Sequence, residues 1–195
     1  MNINPVVLFF ASVFTSNILL TNFLGMCSYI SISKDLNSSN GLGMAVTFVM
    51  TVTTVLNWFV YHYIIVPFGL DYLRYIIFII VIAAVVQILE MVIDRISPSL
   101  YMTLGIFLPL ITVNCAILGV TLFMQLRNYS LLQSLFYGLG SGLGWWLAII
   151  LLAAIRKKID NAPAPAGLKG TGLTFITIGI MAMAFIGFSG MIRVQ

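Results

Sequence analysis

Apolar residues dominate the chain in six long stretches that are separated by short polar breaks. The stretches cover residues of about 5–32, 41–66, 73–93, 104–124, 134–155 and 171–192. A helix that crosses a bilayer needs about 20 apolar residues, and each stretch reaches or passes that length. The breaks hold nearly all of the charged residues and leave no room for a soluble domain. The pattern therefore predicts an all-α, polytopic membrane protein with six transmembrane helices.

The composition agrees with this class of protein. Of the 195 residues, 61% are hydrophobic and only 7% are charged, and a water-soluble domain of this size cannot bury so much apolar side chain. The first stretch runs almost unbroken from Pro5 to Ile32, so we expect no cleaved signal peptide. The net charge of +4 comes from basic residues between the stretches, which indicates membrane topology rather than nucleic-acid binding.

Positively charged residues divide unequally between the breaks. The odd-numbered breaks carry six: Lys34, Arg95, Arg156, Lys157, Lys158 and Lys169. The even-numbered breaks and the C-terminus carry three: Arg74, Arg127 and Arg193. Because cytoplasmic loops carry an excess of Lys and Arg, the odd-numbered breaks are predicted to face the cytoplasm. Both termini are then expected on the outer side.

The two halves of the chain resemble each other faintly. Leu73–Met91 and Leu173–Met191 lie 100 residues apart at both ends, and the Gly-Leu-Gly at 41–43 is matched by that at 142–144. Each half holds three stretches, and an odd number of crossings inverts the second half relative to the first. We predict a single membrane domain, 1–195, built from two inverted three-helix repeats, about 5–93 and about 104–192.

Both cysteines of the chain, Cys27 and Cys115, lie inside the first stretch of a half. Along a straight helix at ~1.5 Å per residue, Cys115 lies roughly 16 Å into its stretch, whereas Cys27 lies about 33 Å into its own. Symmetry-related cysteines should have equal depth, so we expect interrupted first and fourth segments, with breaks at Gly25 and Pro109. Non-helical backbone at this depth must be buried in protein or line a cavity. The chain is therefore expected to pack against a partner.

The residues alone leave three interpretations of the cysteines open. Free cysteine is often a small buried apolar side chain, which favours inert packing. A disulfide between thiols inside a membrane is less favoured. Thiolates are also the preferred ligands of soft metals and iron–sulfur clusters, but a cluster needs about four, and His62 lies near the outer end of its stretch. A symmetric partner with two more thiols would complete such a site.

Glu90 and four asparagines, Asn17, Asn22, Asn57 and Asn114, are polar residues inside apolar stretches. Acids inside membranes are functional candidates by default, but Glu90 lies one turn from the cytoplasmic end, which favours an interfacial carboxylate. Buried amides need partners, so we expect helix–helix hydrogen bonds first and an ion path second. Glu90, Asn22 and Asn114 are the candidates for such a path. No nucleotide-binding loop, nucleophile triad or zinc spacing occurs in the sequence.

Two motifs carry a resemblance to a known family: NFLGMC, which ends at Cys27, and LGIFLPLITVNC, which ends at Cys115. Nearly the whole chain resembles the paired membrane subunits shared by the Rnf complex and the sodium-pumping NADH:quinone oxidoreductase. The segments most similar to the A subunit of Rnf, RnfA, are TFVMT (Thr47–Thr51), YLR (Tyr72–Arg74), VVQILEM (Val85–Met91) and FSGM (Phe188–Met191). LGMC and GSGLGW are closer to NqrE, the corresponding protein of the quinone-reducing relative.

The resemblance implies an RnfA-like subunit of an ion-translocating ferredoxin:NAD oxidoreductase, with an NqrE-like subunit as the alternative. In this family two homologous six-helix subunits of opposite topology share a two-iron two-sulfur cluster, and the ligand positions fall on Cys27 and Cys115. Electrons pass through the cluster between cytoplasmic iron–sulfur and flavin subunits and flavin on the outer side of the bacterial inner membrane. The implied partners are an RnfE-like subunit, B-, C-, D- and G-like subunits, lipid, and sodium or protons, but no nucleic acid. The chain alone is expected to have no activity.

Two further classes fit the residues without the resemblance. A small secondary transporter is suggested by inverted repeats, interrupted helices and polar groups near the midplane. It predicts no iron and substrate uptake by the chain alone. A purely structural anchor predicts that both cysteines tolerate replacement by serine.

Overall fold

The computed structural model describes residues 4–96, 108–159 and 170–189. Residues 104–107 and 190–192 of the predicted stretches lie outside these ranges, as do the predicted loop residue Lys169 and the C-terminal Arg193. Every regular element in the described ranges is helical, as predicted. The elements are α1 (Pro5–Phe10) continuing as a π-helical turn (Ala11–Thr15), α2 (Ile18–Asn22), α3 (Met26–Ile32), α4 (Leu36–Val60) continuing through a π-helical turn (Tyr61–Ile65) into α5 (Val66–Phe68), a 3₁₀ turn (Asp71–Leu73), α6 (Arg74–Ile96), α7 (Leu108–Thr112), α8 (Cys115–Leu126), α9 (Leu131–Ile159) and α10 (Thr171–Ser189).

Four helical spans are long and apolar enough to cross a membrane: Leu36–Phe68, Asp71–Arg95, Pro109–Leu126 and Leu131–Ile159. Shorter apolar helices cover Pro5–Thr15 and Thr171–Gly187. The prediction of a polytopic, all-α membrane protein is therefore confirmed. The first predicted stretch is not one continuous helix, because it divides into α1 with its π-helical turn, α2 and α3.

Helix α9 is the centre of the bundle, and glycines on two of its faces allow its neighbours to approach closely. A Cβ atom added at Gly142 would lie 2.8 Å from Cα of Thr47 on α4. A Cβ added at Gly144, half a turn away, would lie 2.9 Å from the carbonyl oxygen of Val13 in the first segment. Small residues at such contacts are typical of tightly packed membrane helices. The motif GLGSGLG therefore holds α4 on one face of α9 and the first segment on another.

The described loops gather at two ends of the bundle. At one end, Nη1 of Arg156 donates to the carbonyl of Ile30 (2.9 Å) and to Oγ of Ser33 (2.8 Å), which brings the end of α9 to the α3–α4 break. At the other end, the indole N–H of Trp58 donates to the carbonyl of Tyr129 (2.9 Å). The start of the fifth break and the first break thus lie together at one end of the bundle. The fourth break and the end of α4 lie together at the other. Which end faces the cytoplasm stays a prediction.

The two predicted interruptions both exist, but one lies at a different residue. In the first segment the chain turns at Phe23 and Gly25, whose φ angles of 54° and 84° are left-handed. In the fourth segment α7 runs across Pro109, and residues 104–107 before it lie outside the described ranges, so only the part of the segment after Pro109 shows where a break lies. The break falls at Val113 and Asn114, where the extended Asn114 (ψ 112°) caps α8. An asparagine side chain competes with the helix for backbone N–H groups and therefore favours a helix start.

Candidate functional site

Both cysteines lie in the first turn of a helix that begins directly after an interruption. Cys27 is the second residue of α3, and Cys115 is the first residue of α8. Both thiols are free, and both residues are exposed on the surface of the chain. The sequence does not indicate this exposure, because each cysteine stands inside a strongly apolar run. Buried, inert packing within this chain is therefore not what the structure shows for either residue.

A hydrogen bond joins the two cysteine-bearing segments. The backbone N–H of Gly25 donates to Sγ of Cys115 at 2.9 Å. Gly25 is the residue before α3, two positions from Cys27. The two predicted site residues are therefore brought to the same region of the fold by a bond between the backbone of one segment and the cysteine side chain of the other.

Side chains of Ser28 and Asn114 reinforce this junction. The Ser28 hydroxyl donates to the carbonyl of Gly25 (3.1 Å) and accepts from Nδ2 of Asn114 (3.4 Å). Oδ1 of Asn114 accepts from the N–H of Ala116 and so caps α8 (3.0 Å). Ser28 is fully buried, and Asn114 is 2% exposed. We call this set, Gly25, Ser28, Asn114 and Cys115, the cysteine clasp.

Gly25 fits the clasp only as glycine. Its φ of 84° is a conformation that residues with a Cβ atom rarely adopt. A Cβ at this position would lie 2.9 Å from Nε1 of Trp145 and 3.0 Å from Oδ1 of Asn114. Trp145 itself is fully buried, and its indole N–H has no hydrogen-bond partner in the part of the chain that the structure describes. The indole ring therefore forms a rigid wall against the turn that precedes Cys27.

The remaining ion-path candidates do not join the cysteines. Asn22 is exposed and donates only to its neighbour Thr21 within the described residues (3.1 Å). Glu90 is partly buried on α6. No group of three or more His, Cys, Asp or Glu residues that could hold a metal occurs in the described ranges. Of the three candidates, only Asn114 belongs to the site.

The other two asparagines differ in their partners. Asn17 is fully buried, and its Nδ2 donates to the carbonyls of Gly144 (2.8 Å) and Val13 (3.1 Å) while Oδ1 accepts from Leu19 (3.1 Å). The predicted helix–helix hydrogen bond is confirmed here. Asn57 is equally buried, but neither atom of its amide has a partner among the described residues. The prediction is wrong for Asn57.

Arg156 and Ser28 are residues of this region that sequence reasoning missed. Arg156 is 7% exposed, and its bonds to Ile30 and Ser33 attach the end of α3 to α9. A cation near a helix C-terminus interacts favourably with the unpaired carbonyls. The sequence assigned Arg156 to a loop as a topology signal, and nothing in its spacing indicates this contact. The helix that carries Cys27 is thus held at both ends.

The donor set can be tested against the cluster that the family resemblance implies. Two exposed thiols belong to segments that the Gly25–Cys115 bond joins, and the described ranges supply no third candidate ligand to form a metal site with them. A two-iron two-sulfur cluster requires four ligands, usually thiolates. The residues present therefore fit one half of such a site, and a second chain has to provide the other half.

Comparison with known proteins decides the family. A family model described as "Rnf-Nqr subunit, membrane protein" matches residues 6–192. The chain belongs to the Rnf-Nqr subunit family. It is 52% identical over 189 residues to the E subunit of the Na(+)-translocating NADH-quinone reductase of Proteus mirabilis, which covers 94% of this chain and 96% of the relative. The same-named protein of Psychromonas ingrahamii is 51% identical over 193 residues with the same coverage. That of Chlamydia trachomatis serovar L2 is 50% identical over 200 residues, covering 96% of this chain and 82% of the relative.

Membership of the Rnf-Nqr subunit family places the chain in a bacterial membrane as one subunit of a multi-subunit, ion-translocating oxidoreductase. All three of these relatives are named as E subunits of the quinone reductase rather than as RnfA. The family resemblance inferred from the cysteine motifs is confirmed. The choice between the two complexes, and the cluster itself, belong to the proposal below.

Proposed function

We propose that the chain is the E-type subunit of a sodium-translocating NADH-quinone reductase, in which Cys27 and Cys115 supply two of the four ligands of a shared two-iron two-sulfur cluster. The observation that carries the proposal is the cysteine clasp. It joins two interrupted segments through the bond between Gly25 and Cys115 and leaves both thiols exposed. A homologous partner of opposite topology would supply the other two thiolates.

The chain's own residues hold and orient the ligands. Asn114 starts α8 at Cys115, Gly25 and Ser28 set the turn before α3, and Arg156 attaches the far end of α3 to α9. When bound, a cluster of this type supplies one-electron transfer inside a hydrocarbon layer ~30 Å thick. A cluster inside the membrane would divide that distance into two shorter electron-transfer steps, one from the donors on one face and one to the acceptors on the other. The relatives' name supports sodium as the translocated ion.

A second candidate is an RnfA-like subunit of a ferredoxin:NAD oxidoreductase. It is favoured by TFVMT, YLR, VVQILEM and FSGM, which resemble the A subunit of Rnf. Identity of 50–52% over nearly the whole length of the chain to the E subunits outweighs these short segments. Both candidates assign the same role to the two cysteines, and both require further subunits for activity.

Purification of the intact complex through a tag on this chain tests the proposal. We expect NADH-quinone reductase subunits and, in the isolated pair of homologous membrane subunits, two irons and two acid-labile sulfides. A multi-cluster, ferredoxin-like subunit in the complex would instead support the Rnf candidate. A pair without iron, combined with solute uptake by this chain alone in liposomes, would overturn the proposal in favour of a secondary transporter.

A further inference from the structure

We propose that the cysteine clasp sets the reduction potential of the group held by Cys115, with Gly25 as the hydrogen-bond donor and Ser28 and Asn114 as positioning residues. The inference rests on the proposed function, because it assumes that Cys115 is a cluster ligand. It goes beyond ligation, since it assigns roles to three residues that are not ligands.

The donor is placed by the turn rather than by a side chain. The N–H of Gly25 lies 2.9 Å from Sγ of Cys115, and Gly25 is buried. When a cluster is reduced, negative charge on its ligand sulfurs increases. An N–H donor at a sulfur stabilises the reduced state more than the oxidised state and therefore raises the reduction potential. The donor end of the bond is buried, and the lower dielectric there screens the bond less than water does.

Ser28 and Asn114 keep that donor in position. The Ser28 hydroxyl donates to the carbonyl of Gly25, so the peptide unit that follows Gly25 is fixed. Asn114 in turn donates to Ser28 from the segment that carries Cys115, and it caps α8 with its other amide atom. The donor and the acceptor sulfur are therefore tied together by a second route, which is independent of the N–H···S bond itself.

Trp145 limits the alternatives that the turn can adopt. Its ring lies against Gly25 so closely that even a methyl group would not fit between them. The ring belongs to α9, which also holds the first segment through Gly144. If the Ser28–Asn114 bond is removed, the second tie between the turn and the segment of Cys115 is lost, and we expect the N–H···S contact to lengthen.

Redox titration of the purified complex, followed by electron paramagnetic resonance of the intramembrane cluster, tests the inference. Ser28→Ala removes the hydroxyl, and Asn114→Ser keeps a capping oxygen for α8 while it removes the amide donor. We expect both variants to keep their iron and acid-labile sulfide and to show a more negative midpoint potential than the unmodified complex. Ser31→Ala, at an exposed position of the same helix, should leave the potential unchanged.

Pulsed resonance after transfer to D₂O adds a measurement that a purely structural role would not change. The coupling of the reduced cluster to an exchangeable proton should weaken in Ser28→Ala and in Asn114→Ser but not in Ser31→Ala. Full iron content with unchanged potential and coupling in both variants would overturn the inference. Loss of iron in both variants would also overturn it, because the clasp would then be needed to hold the cluster and not to set its reduction potential. An unmodified complex without any cluster signal would refute the proposed function rather than this inference.

Discussion

Gly25 and Cys115 are 90 residues apart in sequence, yet the N–H of the one donates to the sulfur of the other at 2.9 Å. The bond links two segments that would each be a continuous helix if they only had to cross the membrane. Each interruption leaves backbone groups without intrahelical partners, and these groups are costly to bury unless they are bonded. In this chain one of these groups, the N–H of Gly25, bonds the sulfur of Cys115 and so ties the segment of Cys27 to that of Cys115.

The first prediction concerns both thiols. Cys27→Ser and Cys115→Ser should each abolish the iron signal of the intramembrane cluster and electron transfer through it. The loss should be complete rather than half, because three ligands do not hold a cluster that requires four. Iron and acid-labile sulfide of the purified complex are the measurements.

Serine nearly preserves the volume of cysteine, so packing should change little in these variants. Met26→Leu, a volume-conserving change beside Cys27, is the matched control and should retain the cluster. Wild-type iron content in either serine variant would show that the cysteine it replaces is not a ligand of the cluster.

The second prediction concerns the close approach of α4 to α9. Gly142→Ala places a methyl group 2.8 Å from Cα of Thr47, a backbone atom that cannot move alone. Overpacking of this kind lowers stability by about 1–3 kcal/mol. Gly179→Ala on α10 meets no atom within 4 Å, so it should raise stability by about 0.5–1 kcal/mol through helix propensity. Thermal unfolding of the detergent-solubilised complex should separate the two variants in opposite directions.

The third prediction compares two buried asparagines. Asn57→Leu removes an amide whose polar atoms have no partner, and an unsatisfied buried group of this kind costs about 1–3 kcal/mol. The substitution should therefore raise the melting temperature of the complex. Asn17→Leu removes a side chain bonded to Gly144, Val13 and Leu19 and should lower it. A lower melting temperature in Asn57→Leu would show instead that the amide has a bound partner in the membrane.

The fourth prediction concerns the attachment of α3. Arg156→Met removes the donor to Ile30 and Ser33, and a hydrogen bond to a charged group contributes about 1.5–3 kcal/mol. We expect lower stability and faster maleimide labelling of Cys27 in the cluster-free chain. Lys158→Met, at an exposed position two residues later, should change neither. Equal labelling rates in the two variants would contradict this role of Arg156.

The fifth prediction is the topology. Reporter fusions at Lys158 should report a cytoplasmic position, and fusions at the C-terminus should report the outer side, because the excess of Lys and Arg lies in the odd-numbered breaks. A cytoplasmic C-terminus would reverse the assignment of both bundle ends.

The number and length of the helical segments could be predicted from the sequence. The residue at which the fourth segment is interrupted could not. The apolar stretches predict the helices because hydrocarbon requires a fixed length of apolar chain. The depth mismatch of Cys27 and Cys115 correctly predicts interrupted segments. The break at Asn114 was missed because Pro109 is the stronger local signal for an interruption.

Contacts across long sequence separations explain the rest of what was missed. Ser28 and Trp145 carry no sequence signal for the site, since their roles depend on which segment α9 packs against. The difference in hydrogen bonding between Asn17 and Asn57 has the same cause. Both are asparagines in apolar surroundings, but within the described residues Asn17 reaches a carbonyl of another segment, that of Gly144, and Asn57 reaches none.

The bond between Asn17 and Gly144 has a consequence for synthesis of the protein. The two residues are 127 positions apart, and translation adds about 5–20 residues per second, so Asn17 waits roughly 6–25 s for its partner to emerge. During that interval the interrupted first segment, with its polar Ser12, Thr15 and Asn17, has no groove on α9 to occupy. The polar groups of the N-terminal segment therefore need other partners, from water, the translocation machinery or another protein, until the fifth apolar stretch arrives.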